Sequence, residues 1–161
     1  MEPPSSQENT GIAPEQRYRI VRKLDVGGMA EIFLGKSVSL GGLEKDVTIK
    51  RILPALASNS SFVEMFLDEA RLCMALNHAN IVQVFDVGRS RDTYFLVMEY
   101  VDGHNLRRVI QKASEVGYRL PVGLACYLVT EVCKGLTHAH TRLDADDRPL
   151  EIVHRDVSPP N

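Results

Sequence analysis

Tryptophan does not occur in the sequence, cysteine occurs three times, and aromatic residues make up only 6% of it. Cys73, Cys126 and Cys133 have neither C-x-x-C spacing nor paired histidines nearby, which argues against a zinc site and against a disulfide framework. They read as buried thiols of a reducing compartment, which places the protein in the cytoplasm. Charge of one sign is lacking too: 19 Lys and Arg face 21 Asp and Glu, so no basic excess points to nucleic acid or anionic lipid as a partner. No run of about 18 apolar residues exists, so no membrane-spanning segment is expected in this chain. The first residues, MEPPSSQENTGIAPEQ, lack a basic n-region and an apolar h-region, and their Pro- and Ser-rich composition reads as a disordered leader over residues 1–16. What remains is ordinary: 161 residues, 44% hydrophobic and 25% charged, enough for one domain with a substantial core.

From Arg17 to Lys36, RYRIVRKLDVGGMAEIFLGK alternates apolar and polar residues on both sides of a glycine pair, as a β-hairpin does. Ile20, Leu24, Ile32 and Leu34 are the expected inward positions. EKDVTIKRIL reads as a third strand around Val47 and Ile49. SNSSFVEMFLDEARLCMALNH places Phe62, Phe66, Ala70 and Cys73 at spacings of three and four, with cap candidates at Ser58 to Ser61, so an amphipathic helix follows. IVQVFDVG and TYFLVMEYV are two more strands, joined by the polar turn RSRD. After Gly103 the pattern turns helical, first NLRRVIQKAS and then Pro121 to about Thr141, with an apolar stripe at Leu124, Leu128, Val132, Leu136 and Ala139. The fold class is α+β: five antiparallel strands with one inserted helix, then a helical part, meeting near residues 101–105 where a cleft would bind ligand.

Three groups of residues carry chemistry. In LDVGGMAEIF, a dinucleotide fingerprint would need a helix after the glycines, whereas a strand follows here. That disfavours an oxidoreductase; a hairpin covering phosphates fits, and an ordinary tight turn is the plainer alternative. Lys50 in VTIK and Glu69 on the next helix suit phosphate holding and its positioning, although either residue taken singly is more often a solvated charge. The terminal HRDVSPPN is the sharpest signal: Asp156 can accept a hydroxyl proton, and Asn161, five positions on, can give a carbonyl oxygen to Mg2+. Asp144, Asp146 and Asp147 lack the spacing of a calcium loop and read as a solvated turn, and His138 and His140 face different directions on their helix.

In order along the chain, LDVGGMAEI, VTIK, DEA, HANIV, MEYVDG and HRDVSPPN resemble the protein kinase family, specifically bacterial kinases of the eukaryotic-like serine/threonine type, from about Arg17 to Asn161. The resemblance implies a kinase N-lobe with its hinge over residues 17–102 and the start of a helical C-lobe over 103–161. It implies ATP and Mg2+ as cofactors and proteins with Ser/Thr acceptors as partners. Lys50 would contact the α- and β-phosphates and pair with Glu69, and Asp156 would be the catalytic base. The hairpin residues Asp25, Val26, Gly27, Gly28, Met29 and Ala30 would cover the phosphates. Ile32 and Thr48 would roof the adenine with Met98 behind it, Glu99 and Val101 would supply the hinge hydrogen bonds, Asn105 would lie near the ribose, and Asn161 would ligate metal. Cys73, Val84 and His154 fall where the family stacks an apolar spine, and Arg155 where it receives a phosphorylated activation loop.

The sequence departs from the family at three places. Asp25 and Ala30 stand at the first and third glycines of G-x-G-x-x-G, and the Asp25 charge is expected to weaken nucleotide affinity. Thr48 replaces the alanine of V-A-I-K. Ser158 stands where serine/threonine kinases carry a lysine that neutralises γ-phosphate charge, while Pro159 keeps their pattern. The D-F-G aspartate and the activation loop would follow Asn161, so the resemblance implies a kinase truncated within its catalytic loop and a 1–161 chain that is inactive by itself, with its apolar stripe exposed. The alternative reading is a catalytically silent, pseudokinase-like binding or scaffold module.

Overall fold

A computed structural model describes residues 17–39 and 41–160; the leader expected over residues 1–16 and the metal ligand expected at Asn161 lie outside the described residues. Five strands form one antiparallel sheet: β1 (Tyr18–Val26), β2 (Ala30–Val38), β3 (Glu44–Ile52), β4 (Val84–Ser90) and β5 (Thr93–Glu99), in the order β1-β2-β3-β5-β4. Helix α1 (Ser60–Met74) is inserted between β3 and β4, and α2 (Leu106–Glu115) and α3 (Val122–His140) follow the sheet. The α+β architecture expected from the pattern is therefore present, strand by strand.

The pleat of β3 explains how this sheet carries two cores. Successive side chains point to opposite faces. Val47 and Ile49 go to one face, where they bury with Phe33 and Val97 under Tyr18 and Phe95. Ile52 goes to the other, where it joins Phe66 and Ala70 of α1, Val84 and Leu96. Helix α1 begins at an Asn59 cap whose side chain accepts from the Ser61 amide at 3.1 Å, and its Phe66 and Ala70 are the buried positions of the expected stripe. Cys73 packs at the edge of this core, and burial pushes its thiol up.

Two expectations need correction. Ile20 and Leu24 are exposed and Ile32 and Leu34 are half-buried, while Phe33 is buried instead. The reason is that the outer core recruits Phe33 opposite Ile49, and β1 is an edge strand whose register shifts between Ile20 and Arg22 and again between Lys23 and Asp25. Cys126 and Cys133 are exposed, not buried, because they lie on a side of α3 that no described element covers. The stripe of α3 is exposed at Leu124 and Val132, as expected for this chain, while its Ala139 is buried beside Gly135. Gly135 belongs where it is: a Cβ there would stand 3.2 Å from the Asn80 carbonyl oxygen, and Asn80 Nδ2 donates to the Glu131 carbonyl at 2.9 Å and to Glu131 Oε2 at 2.8 Å. These contacts fasten the loop after α1 to the middle of α3.

At the far end of the sheet, Tyr18 donates its hydroxyl to Asp86 Oδ2 at 2.7 Å and stands edge-on to Phe95, 6.2 Å between centroids. Burial, then the hydrogen bond to Asp86, then its charge push the phenol from 10.0 up to about 12. The folded value lies above the unfolded one, so this stabilisation is whole below pH 10 and is lost as the pH rises through 12. Tyr18→Phe is expected to cost about 1 kcal/mol at neutral pH and to flatten the fall in stability across that alkaline window. Urea unfolding of both proteins at stepped pH measures this; parallel curves would contradict it.

Candidate active site

The turn between β1 and β2 is closed by the Gly27 amide donating to the Ala30 carbonyl at 2.8 Å. The Asp25 side chain does not reach into it: its Oδ1 accepts from the Val26 amide at 2.8 Å, which ties the carboxylate to its own backbone. Neither Gly27 nor Gly28 has a positive φ, and a Cβ at Gly28 would meet nothing within 4 Å. Neither the backbone conformation nor packing within the chain therefore requires glycine at Gly28. The backbone there is open to close approach by a group from outside the chain. Val26 and Met29 are exposed on its tip, and the Leu53 amide donates to the Met29 carbonyl at 3.0 Å, anchoring the hairpin to the end of β3.

Beneath the hairpin a small cavity of about 30 Å³ is lined by Met29, Ala30, Lys50, Ile52, Phe66 and Glu69. Lys50 Nζ lies 2.6 Å from Glu69 Oε1 and 5.9 Å from the centre of the Phe66 ring. The geometry follows from the fold: Lys50 shares the helix-facing side of β3 with Ile52, and burying Phe66 and Ala70 sets the rotation of α1 that brings Glu69 to the sheet. The two side chains are 26% and 48% exposed, so the pair contributes little to stability. Its consequence is positional, since it fixes an ammonium group under the glycine turn.

Strand register gathers the adenine-side residues. Ile32 is opposite Lys50, and Thr48 is opposite both Leu34 and Met98, so Ile32, Thr48, Lys50 and Met98 all lie on one face of the sheet. At the end of β5 the Glu99 amide donates to the Gln83 carbonyl at 2.9 Å, and Val101 is exposed just beyond. Asn105 caps α2, its Oδ1 accepting from the Arg108 amide at 3.0 Å, so its oxygen is engaged by the helix.

The segment after α3 is irregular and largely exposed. Arg155, directly before Asp156, has φ 64°, a left-handed conformation that costs a non-glycine residue energy and recurs at functional loops. Ser158 Oγ donates to Asp156 Oδ1 at 3.0 Å, the Asp156 amide donates to His154 Nδ1 at 3.3 Å, and the Pro159 carbonyl accepts from the Arg107 amide at 2.9 Å. The last bond ties this loop to the first turn of α2. Val84 and Cys73 meet in the core around α1, but His154 is exposed and does not join them. Among the described residues no cluster of three or more His, Cys, Asp or Glu could hold a metal. Asp144 Oδ1 accepts from the amides of Asp146 and Arg148, the hydrogen bonding of a polar turn.

Sequence reasoning missed two residues of this neighbourhood. Phe66 was read only as core, yet its ring also borders the Lys50 ammonium. Glu31 holds both Lys23 at 2.6 Å and Arg51 at 2.8 Å, and these two cations lower its pKa. The i, i+8 spacing of Lys23 and Glu31 across a two-glycine turn was the available signal.

A protein kinase domain model matches residues 18–161. The chain is 41% identical to a tyrosine-protein kinase, MasK, of Myxococcus xanthus over 93% of its own length and 23% of the relative's. It is 32% identical to the serine/threonine-protein kinase PrkC of Bacillus subtilis over 90% of its length and 20% of that protein's. Crystal structures of the PknI kinase domain of Mycobacterium tuberculosis superpose with a TM-score of 0.68 at 30% identity, covering 90% of this chain and 53% of theirs. The chain thus spans about a fifth of the length of these curated relatives and about half of the solved kinase domain. The matched residues run from the glycine hairpin through Lys50 and Glu69 to the segment that carries Asp156, and this chain belongs to the protein kinase domain family.

Proposed function

We propose that the protein carrying this chain transfers the γ-phosphoryl group of ATP to Ser/Thr hydroxyls of proteins, in the cytoplasm. The observation that carries the reading is the 2.6 Å pair between Lys50 and Glu69 under a glycine turn whose Gly28 faces open space. In it, Lys50 holds phosphate oxygens while Glu69 keeps its ammonium in place, and the backbone from Asp25 to Ala30 covers the phosphates. Ile32, Thr48 and Met98 bound the adenine, the Glu99 carbonyl and Val101 bind its edge, and Asn105 lies toward the ribose. Asp156 orients the acceptor hydroxyl and takes its proton, with Asn161 as a metal ligand. Mg2+, when bound, neutralises charge on the phosphates.

Gly28→Ala supplies the test of the phosphate cradle. It is expected to leave unfolding unchanged, because the added methyl meets no protein atom, and to weaken MgATP binding about tenfold in isothermal titration. Equal affinity in the two proteins would sink the assignment. The acceptor is read by phosphoamino-acid analysis after phosphoryl transfer by the complete domain: phosphoserine and phosphothreonine are expected, and phosphotyrosine alone would move the protein toward the function named for its Myxococcus relative. One observation favours the silent binding module instead. Ser158 stands where the family has a lysine, and its hydroxyl is turned to Asp156. MgATP binding without transfer in the complete domain would establish that second reading.

A further inference from the structure

The two arms of the glycine hairpin differ in how they are paired. β2 runs against β3 residue for residue from Ala30 to Val38, whereas the pairing of β1 with β2 skips Leu24, because Lys23 stands opposite Phe33 and Asp25 opposite Ile32. The incoming arm therefore enters the turn just after a break in its ladder. On the sheet face away from Lys50, one carboxylate spans this break. Glu31, directly after Ala30, lies 2.6 Å from Lys23 Nζ through Oε1 and accepts from Arg51 Nη2 at 2.8 Å through Oε2. Lys23 belongs to β1, and Arg51 to β3 next to Lys50, so three strands meet on one side chain. Both cations also lie over the Phe33 ring, at 5.9 Å for Lys23 Nζ and 4.7 Å for Arg51 Cζ. The Glu31 side chain is 14% exposed, and the hydrogen bonds from Lys23 and then Arg51 hold its carboxyl below the usual range, so it stays charged at neutral pH. Among the described residues no other acid pairs with either cation.

We propose that Glu31 is a positioning residue of the nucleotide site: it clamps the glycine hairpin over Lys50 by tying the incoming arm through Lys23 and the strand of Lys50 through Arg51. The inference rests on the proposed reading of this hairpin as a cover for phosphates. Glu31 itself faces away from the nucleotide side and acts only through the backbone it holds. The bond from the Leu53 amide to the Met29 carbonyl anchors the outgoing end of the turn. Glu31 adds the hold on the incoming arm, where the skipped residue has weakened the ladder.

Glu31→Gln keeps the shape of the side chain and removes its charge. In the complete domain without nucleotide it is expected to speed amide hydrogen exchange over residues 26–29 about tenfold. In isothermal titration it should weaken MgATP binding about fivefold, and it should lower kcat/KM for ATP by the same factor with kcat unchanged. Lys23→Gln should give a smaller loss, and Lys23→Gln/Glu31→Gln no more than Glu31→Gln alone, since the single change has already broken the pair. Glu44→Gln breaks the 3.0 Å pair with Arg19 at the other end of β1 and is expected to leave both readouts unchanged. Unaltered exchange in Glu31→Gln overturns the clamp, as does faster exchange at unaltered MgATP affinity. Losses that add in the double variant, or that Glu44→Gln reproduces, overturn it in favour of a general contribution to the sheet. Failure of the underlying reading is separate: if the wild-type domain binds no MgATP while Glu31→Gln still speeds exchange, the phosphate cover is overturned, and nucleotide positioning by Glu31 with it.

Discussion

Lys50→Met is expected to lower kcat/KM for ATP by about two to three orders of magnitude in the complete domain, while the melting temperature of the chain moves little. The asymmetry follows from exposure. Lys50 and Glu69 are partly solvated, so their 2.6 Å contact is screened in the resting protein and removing it costs at most about 1 kcal/mol of stability. Phosphate placed under the glycine hairpin would exclude water from the same ammonium, and the interaction there becomes stronger. Methionine keeps the stem volume against Phe66 and removes only the charge. Glu69→Gln should show a smaller loss, because it releases the lysine without removing it. If Lys50→Met and Glu69→Gln instead lower stability by several kcal/mol and leave ATP binding intact, the pair is structural and the site is elsewhere.

Asp156→Asn is expected to reduce kcat by about two to four orders of magnitude with little change in KM for ATP, measured on the same domain. The substitution keeps the shape of the side chain and an acceptor oxygen, so Ser158 can still donate to it; what it removes is the capacity to accept a proton. The residue is exposed and its loop is held through the Pro159 carbonyl and the Arg107 amide, neither of which the variant touches. Folding should be unaffected. A variant that transfers phosphate at the original rate would remove Asp156 from its assigned role.

The order of the elements was legible because each one announces itself locally. Alternating apolar residues mark β1 and the middle of β3, and the Asn59 and Asn105 caps sit within a residue or two of where polar clusters precede apolar repeats. The faces were less legible. β2 carries apolar residues at Ile32, Phe33 and Leu34 in succession, so period two cannot say which parity is buried; pairing of Phe33 with Ile49 under Val97 decides it. The α3 stripe shows the converse problem. Of the stripe only Ala139 is buried, beside Gly135, where the loop around Asn80 comes so close that a Cβ at Gly135 would stand 3.2 Å from the Asn80 carbonyl oxygen.

By itself the sequence determined which chemistry-bearing residues the protein has and in what order, since a glycine pair, VTIK, a helix glutamate and HRDVSPPN are local signals that need no partner to be read. Only the tertiary structure decided which of them meet. Lys50 and Glu69 are separated by 19 positions and come to 2.6 Å because one face of β3 and one face of α1 bury together, and Tyr18 of β1 reaches Asp86 of β4 at 2.7 Å, 68 positions away, although β2, β3 and β5 stand between those strands in the sheet. Contacts between distant residues are set by the burial of the apolar faces that carry them, and that is a property of the whole fold that no local pattern contains.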